Sequence, residues 1–195
     1  MRNYGKAWVI LVVVLALLLL LGLGIFGWYI SGYNRAVGLD EATKTTWSNV
    51  DTALQRRLDL VPNLVSTVKG YVTHEKELFE NIAKSREKYF QANTTGNKIK
   101  ASNELSGFLS RLLLLKEAYP ELKANQNFLA LQDQLEGTEN RINVARTRYN
   151  EAAKQLNSYS REFFGSFFCN RANVERVEYF EASEKAKTEV PKVEF

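Results

Sequence analysis

The 195-residue chain is poor in reactive side chains, with one cysteine, one histidine and three prolines. A single cysteine, Cys169, excludes an internal disulfide and reads as a small buried or half-buried apolar residue. One histidine, His74, is too few for the paired Glu-x-x-His motifs of a di-iron bundle, and His74-Glu75 lacks the second histidine of a zincin helix. His74 and Cys169 are 95 residues apart in sequence, which argues against a Cys–His nucleophile pair. No glycine-rich phosphate loop is present. Paired acids such as Glu75/Glu77 and Glu136/Glu139 read as solvated helix faces. The expectation is therefore no catalytic residue, no metal, no cofactor and no enzymatic activity. Strand signals are absent too: Val, Ile and Thr do not alternate with polar residues, and hairpin turn pairs are missing.

Charge of one sign is also lacking. Two of the 26 basic residues precede the N-terminal apolar run, so the remainder carries 24 basic against 22 acidic residues. That balance excludes the clustered basic footprint of a nucleic-acid binder.

What the chain does have is an uncharged run, Ala7 to Ile30. About 20 helical residues cross a hydrocarbon core roughly 30 Å thick. Trp8 at one end, and Trp28, Tyr29 and Tyr33 at the other, suit the two headgroup zones. A cleaved signal peptide would be shorter and end in an A-x-A-like site, which GLGIFGWYISGYN lacks. The run reads as an uncleaved signal anchor in the lipid bilayer. Residues 1–6 then form a short flank, 7–30 the transmembrane helix, 31–165 a helical bundle, and 166–195 a partly irregular C-terminal segment. Arg2 and Lys6 precede the span, Arg35 and Lys44 follow it, and the positive-inside rule places the N terminus in the cytoplasm and the bundle outside.

Beyond the run, apolar residues recur at three-four spacing. Trp47, Val50, Leu54, Leu58, Val61, Val65, Val68 and Val72 form one stripe. Leu105, Phe108, Leu112, Leu115 and Tyr119 form another. The longest comprises Phe128, Leu131, Leu135, Thr138, Ile142, Ala145, Tyr149, Ala152, Leu156, Tyr159 and Phe163. Gly70 can end the first soluble helix, and Thr73 can cap a second ending near Tyr89. NTTGNK, residues 93–98, reads as a loop of turn formers. Pro120 suits a first helical turn, Asn125 or Asn127 can cap the long helix, and Gly165 can end it. The first bundle helix can continue from the span through the short joint at Ser31 to Leu39. The fold class is all-α: a transmembrane helix followed by an antiparallel bundle of about four helices with coiled-coil-like packing.

RRLDLVPNLV, residues 56–65, sets a proline inside such a stripe. Pro62 can kink one helix, freeing the carbonyl of Leu58, or sit in the first turn of a helix restarted after Asp59. At 100° per residue, Arg57 and Lys69 flank the stripe, with stems over apolar surface and heads in water. Arg56, Asp59 and Asn63 fall on the opposite face: a solvated face, or a contact surface for a protein partner. Gln132, Glu136, Glu139, Asn143, Arg146, Asn150 and Asn157 form a polar row beside the long stripe, which Arg57 or Lys69 can pair with at a helix–helix boundary.

Three blocks resemble the signatures of the bacterial LemA family: RRLDLVPNLVSTVKGYVTHE (56–75), AYPELKANQNFLALQDQLEGTENRI (118–142) and ARTRYNEAAKQLN (145–157). The N-terminal span, Tyr33-Asn34 and a terminal PKVEF agree with it, whereas FFGSFFCNR (163–171) departs from the Phe-Pro pair of relatives. The resemblance implies a membrane-anchored helical bundle in the bacterial inner membrane. It carries over no catalytic residue, only a link of some relatives to membrane organisation. The expected function is a non-enzymatic, membrane-tethered adaptor or scaffold with unknown protein partners. The alternative is an extracytoplasmic sensor or ligand-binding bundle working through a separate signalling partner.

Overall fold

The computed structural model describes residues 4–72 and 74–181, with side chains from Trp8 onward, and contains no strand among them. Helix α1 runs Tyr4–Lys69, α2 Lys76–Gln91, α3 Thr95–Leu114, α4 Pro120–Lys123, α5 Gln126–Tyr159 and α6 Phe163–Arg171, with a 3-10 turn at Leu115–Glu117 after α3. The membrane-length run and the first bundle stripe are thus parts of one helix. Ser31 to Leu39 holds no break, and neither does Pro62, so a restart after Asp59 is excluded.

Local sequence explains most boundaries. Thr94 Oγ1 accepts the Asn97 N–H at 3.2 Å, so NTTGNK is a helix cap and first turn rather than a loop. Asn125 Oδ1 accepts the Phe128 N–H at 2.9 Å and caps α5. Pro120 opens α4, where its missing N–H costs nothing. The Thr73 cap lies outside the described residues, as does the tail beyond Glu181.

The chain divides into two compact units. The larger holds Thr43–Ala153 and the described residues from Val177. Its core is the stripe of α1 (Val50, Leu54, Leu58, Val61, Leu64, Val68) with Ile82, Leu105, Leu112, Phe128, Leu135, Ile142 and Tyr149. Leu64 is buried in the place expected of Val65, which is half-buried. Thr138 sits in the apolar stripe because its hydroxyl donates to the Gln134 carbonyl at 2.8 Å.

The smaller unit holds the described residues up to Ala42 and Lys154–Arg176. Within it Tyr159 is buried, donates to the Gly32 carbonyl at 3.0 Å, and lies under the Arg35 guanidinium at 4.6 Å. Helix α5 ends at Tyr159, not at Gly165. Gly165 lies inside α6, where a Cβ would strike the Tyr159 carbonyl oxygen; this is a close approach rather than a stop signal. Asn173, at φ 54°, closes α6: its N–H donates to Asn170 O at 3.3 Å and the Val174 N–H to Cys169 O at 2.9 Å. These two bonds form a Schellman cap. Phe163, expected to end the long stripe, starts α6 instead and is 87% exposed.

Candidate functional site

The larger unit encloses a cation. Arg57 does not flank the core with its head in water; it is 2% exposed. Its Nη1 donates to Ser106 Oγ at 2.8 Å and to Glu139 Oε2 at 3.1 Å, and its Nη2 to the Ser102 carbonyl at 3.2 Å and the Ser102 hydroxyl. Ser106 and Ser102 lie one turn apart on α3, small enough to leave room for a guanidinium. The Ser106 hydroxyl in turn donates to the Ser102 carbonyl at 2.9 Å. Burial lowers the Arg57 pKa, and Glu139 opposes the shift; an arginine stays charged through such a change. Arg57 Nε is buried without an acceptor. Fixed donors and a carboxylate half open to water thus join α1, α3 and α5 in one register.

A second polar knot lies beside it. Asp51 Oδ1 accepts from the Tyr89 hydroxyl at 2.6 Å and from Lys98 Nζ at 2.8 Å, while Lys98 stands 5.4 Å from the Tyr89 ring centre. Burial and the adjacent Asp51 push the Tyr89 hydroxyl well above its ordinary pKa. These groups bond one another and leave no activated nucleophile.

Pro62 has its own answer. Proline removes the N–H that would have bonded the Leu58 carbonyl. Arg86, from α2, supplies the missing donor: its Nε reaches Leu58 O at 3.2 Å. The helix defect becomes an attachment point between α1 and α2.

The remaining expected residues divide. Lys69 does not join the polar row; it is exposed, with Nζ 5.2 Å from the Phe79 ring centre. Arg146 and Asn150 serve the segment after α6. Asn150 Nδ2 donates to the Phe180 carbonyl at 3.0 Å, its Oδ1 accepts the Phe180 N–H at 2.8 Å, and Arg146 faces the Phe180 ring at 5.8 Å. Tyr149 donates to Glu178 O at 2.7 Å. Asn143 is half-buried on α5. Along the same helix Gln132 donates to Glu136 at 2.9 Å and accepts from Lys116 at 3.3 Å.

Arg56, Asp59 and Asn63 are all exposed on one face of α1. Asn63 borders a shallow hollow walled by Ser66 and Thr67 of α1 and by Asn127 and Gln134 of α5. Ala130 and Leu131 complete the wall, so its lining is uncharged and mixed polar and apolar. Among the described residues, no group of three or more His, Cys, Asp or Glu side chains is placed to hold a metal ion.

Sequence reasoning missed Asp51, Arg86, Lys98 and Ser102. The serines at 102, 106 and 110, four apart on α3, were the available signal for a polar seam.

The model of the LemA family matches residues 46–195. No curated protein matches the chain.

Proposed function

The chain belongs to the LemA family, and from that premise and the geometry above we propose that it is a membrane-anchored, non-enzymatic adaptor. The observation that carries this reading is the make-up of α1. One unbroken helix holds an apolar run with no residue of its most hydrophobic stretch buried, and then the core stripe of a packed bundle. A fully exposed apolar helix belongs in lipid, whereas an amphipathic stripe belongs in water against other helices. In this reading the N terminus lies in the cytoplasm of a bacterial cell, the run crosses the inner membrane, and the bundle stands outside.

The adaptor face is Arg56, Asp59 and Asn63, with the neutral hollow beside Asn63. Arg57 and Glu139 hold that face in register and are not themselves contacts.

A photo-crosslinking side chain placed at Arg56 or Asn63 of the full chain, in intact cells, is the test. Discrete protein adducts are expected there and not at Lys84, an exposed position of α2. Adducts from neither Arg56 nor Asn63 would contradict the adaptor face. Turnover of a broad panel of hydrolase substrates by the purified chain would contradict the non-enzymatic reading.

A further inference from the structure

Helix α6 presents an unusual surface. Phe163, Phe164 and Phe167 are 87%, 55% and 48% exposed. At 100° per residue they fall within a single arc of about 100°. Arg171 lies in the same arc at the far end and is also exposed. Three large rings on one side of a nine-residue helix form an apolar patch that water does not favour.

The neighbours of α6 say what covers it. Phe164 and Phe168 stand edge-on to Trp28, at 5.1 and 5.0 Å between ring centres. Phe167 and Phe168 approach Tyr29 at 6.4 and 5.8 Å. Phe168 is buried against the backbone of Gly32, where a Cβ would collide with its ring. The Arg171 guanidinium donates to the Tyr29 hydroxyl oxygen. From Trp8 to Trp28 the helix rises about 30 Å, one hydrocarbon thickness. Trp28 and Tyr29 therefore mark the depth at which aromatic rings meet headgroups. Alpha6 is packed at that depth, its exposed rings continuous with the apolar surface of α1.

We propose that α6 is an interfacial foot: Phe163, Phe164 and Phe167 insert into the headgroup–acyl boundary of the bilayer that α1 crosses, with Arg171 at the phosphate level. The occupant of the patch is lipid. Aromatic rings with a flanking cation are the composition of helices that lie in this zone. Gly32 and Gly165 make the foot possible, the first by admitting Phe168 and the second by admitting the Tyr159 carbonyl. The foot fixes the tilt and depth of the anchor where it leaves the membrane. The inference rests on the proposed anchor, so the test separates the two.

The full chain with Cys169→Ala is spin-labelled singly after Phe163→Cys, Phe167→Cys, Leu18→Cys or Asp59→Cys. Each is reconstituted into mixed phosphatidylcholine and phosphatidylglycerol vesicles. Collision rates with oxygen, enriched in lipid, and with a water-soluble nickel complex are then measured. The expected result is a deep label at 18, a water-exposed label at 59, and nickel collision at 163 and 167 several-fold below that at 59, with oxygen collision raised. A deep label at 18 with 163 and 167 as nickel-accessible as 59 overturns the foot and leaves the anchor. Low collision with both reagents plus dipolar broadening at 163 shows a second copy on the patch and also overturns it. A nickel-accessible label at 18 overturns foot and anchor together.

Discussion

Between Trp8 and Trp28 helix α1 exposes its leucines and valines, whereas between Val50 and Val68 the same helix buries most of them. Both stretches draw on the same apolar residue types, but only the second mixes them with polar ones. The first stretch is apolar on every side, so no rotation could hide it against a partner helix. The second interleaves Asp51, Gln55, Arg56, Asp59 and Asn63 with the apolar positions, which confines burial to one side. Polar residues follow the same division. In the larger unit they are built into the interior at Arg57 and into its half-buried margin at Asp51 and Asn150. In the smaller one three rings of α6 lie outside, and most buried groups are apolar, such as Leu156, Tyr159 and Phe168. A helix is assigned its solvent by periodicity, not by hydrophobicity alone.

The sharpest way to break this comparison is to remove the interior cation. Arg57→Ala strips the donor from Ser102, Ser106 and Glu139, and should cost about 3 kcal/mol. Arg56→Ala, one residue away on the exposed face, should stay within about 0.5 kcal/mol. Urea denaturation of the full chain in detergent measures both, and equal effects would erase the distinction between faces. Leu135→Ala tests the apolar side of the same unit. It should cost about 2 kcal/mol, the low end for leucine truncation, because Leu135 keeps some contact with solvent.

The helix defect at Pro62 allows a finer cut. Arg86→Ala leaves the Leu58 carbonyl without its donor and should cost about 1 kcal/mol. In a Pro62→Ala background the loss should shrink, because residue 62 regains an N–H for that carbonyl. A double-mutant cycle gives the coupling, and strict additivity would mean that Arg86 holds α2 by other contacts.

The smallest expected effect concerns alkali. Burial and Glu178 push the Tyr149 hydroxyl up to about 12, above the ordinary value near 10. A tyrosine whose pKa is raised by folding supports the fold fully below its unfolded pKa and loses that contribution as pH climbs from about 10 to 12. Tyr89 shifts in the same direction. Stability should therefore fall across that window, with a shallower slope in Tyr149→Phe.

Most of the helices were legible because their stripes are long and their caps local. Pro120 and Asn125 act locally, within reach of pattern reading; Thr94 acts as locally, but turn formers around it mask the cap and make NTTGNK read as a loop. Arg57 was misplaced because ideal register puts it at the edge of the stripe. Its burial depends on which residues α3 brings across from it, and Ser102 is 45 residues distant. Gly165 was read as a helix stop for the same reason: the Tyr159 carbonyl that demands a glycine is visible only once α6 turns back. The row on α5 was recognised as polar, but the partner of Asn150 is the backbone of Phe180, which leaves no side-chain signature. The face formed by Arg56, Asp59 and Asn63 could be placed on the exposed side of α1, since exposure follows from register alone.

Thiol labelling along α1 tests the division of that helix most directly. Leu18→Cys and Asp59→Cys, each in the full chain with Cys169→Ala, are exposed in unbroken cells to a charged, membrane-impermeant reagent. Leu18→Cys should remain unlabelled even after the cells are broken, and Asp59→Cys should label before they are broken. Labelling of both positions at similar rates in broken cells would contradict the membrane assignment of the first half of α1, and labelling of Asp59→Cys only after breakage would reverse the orientation.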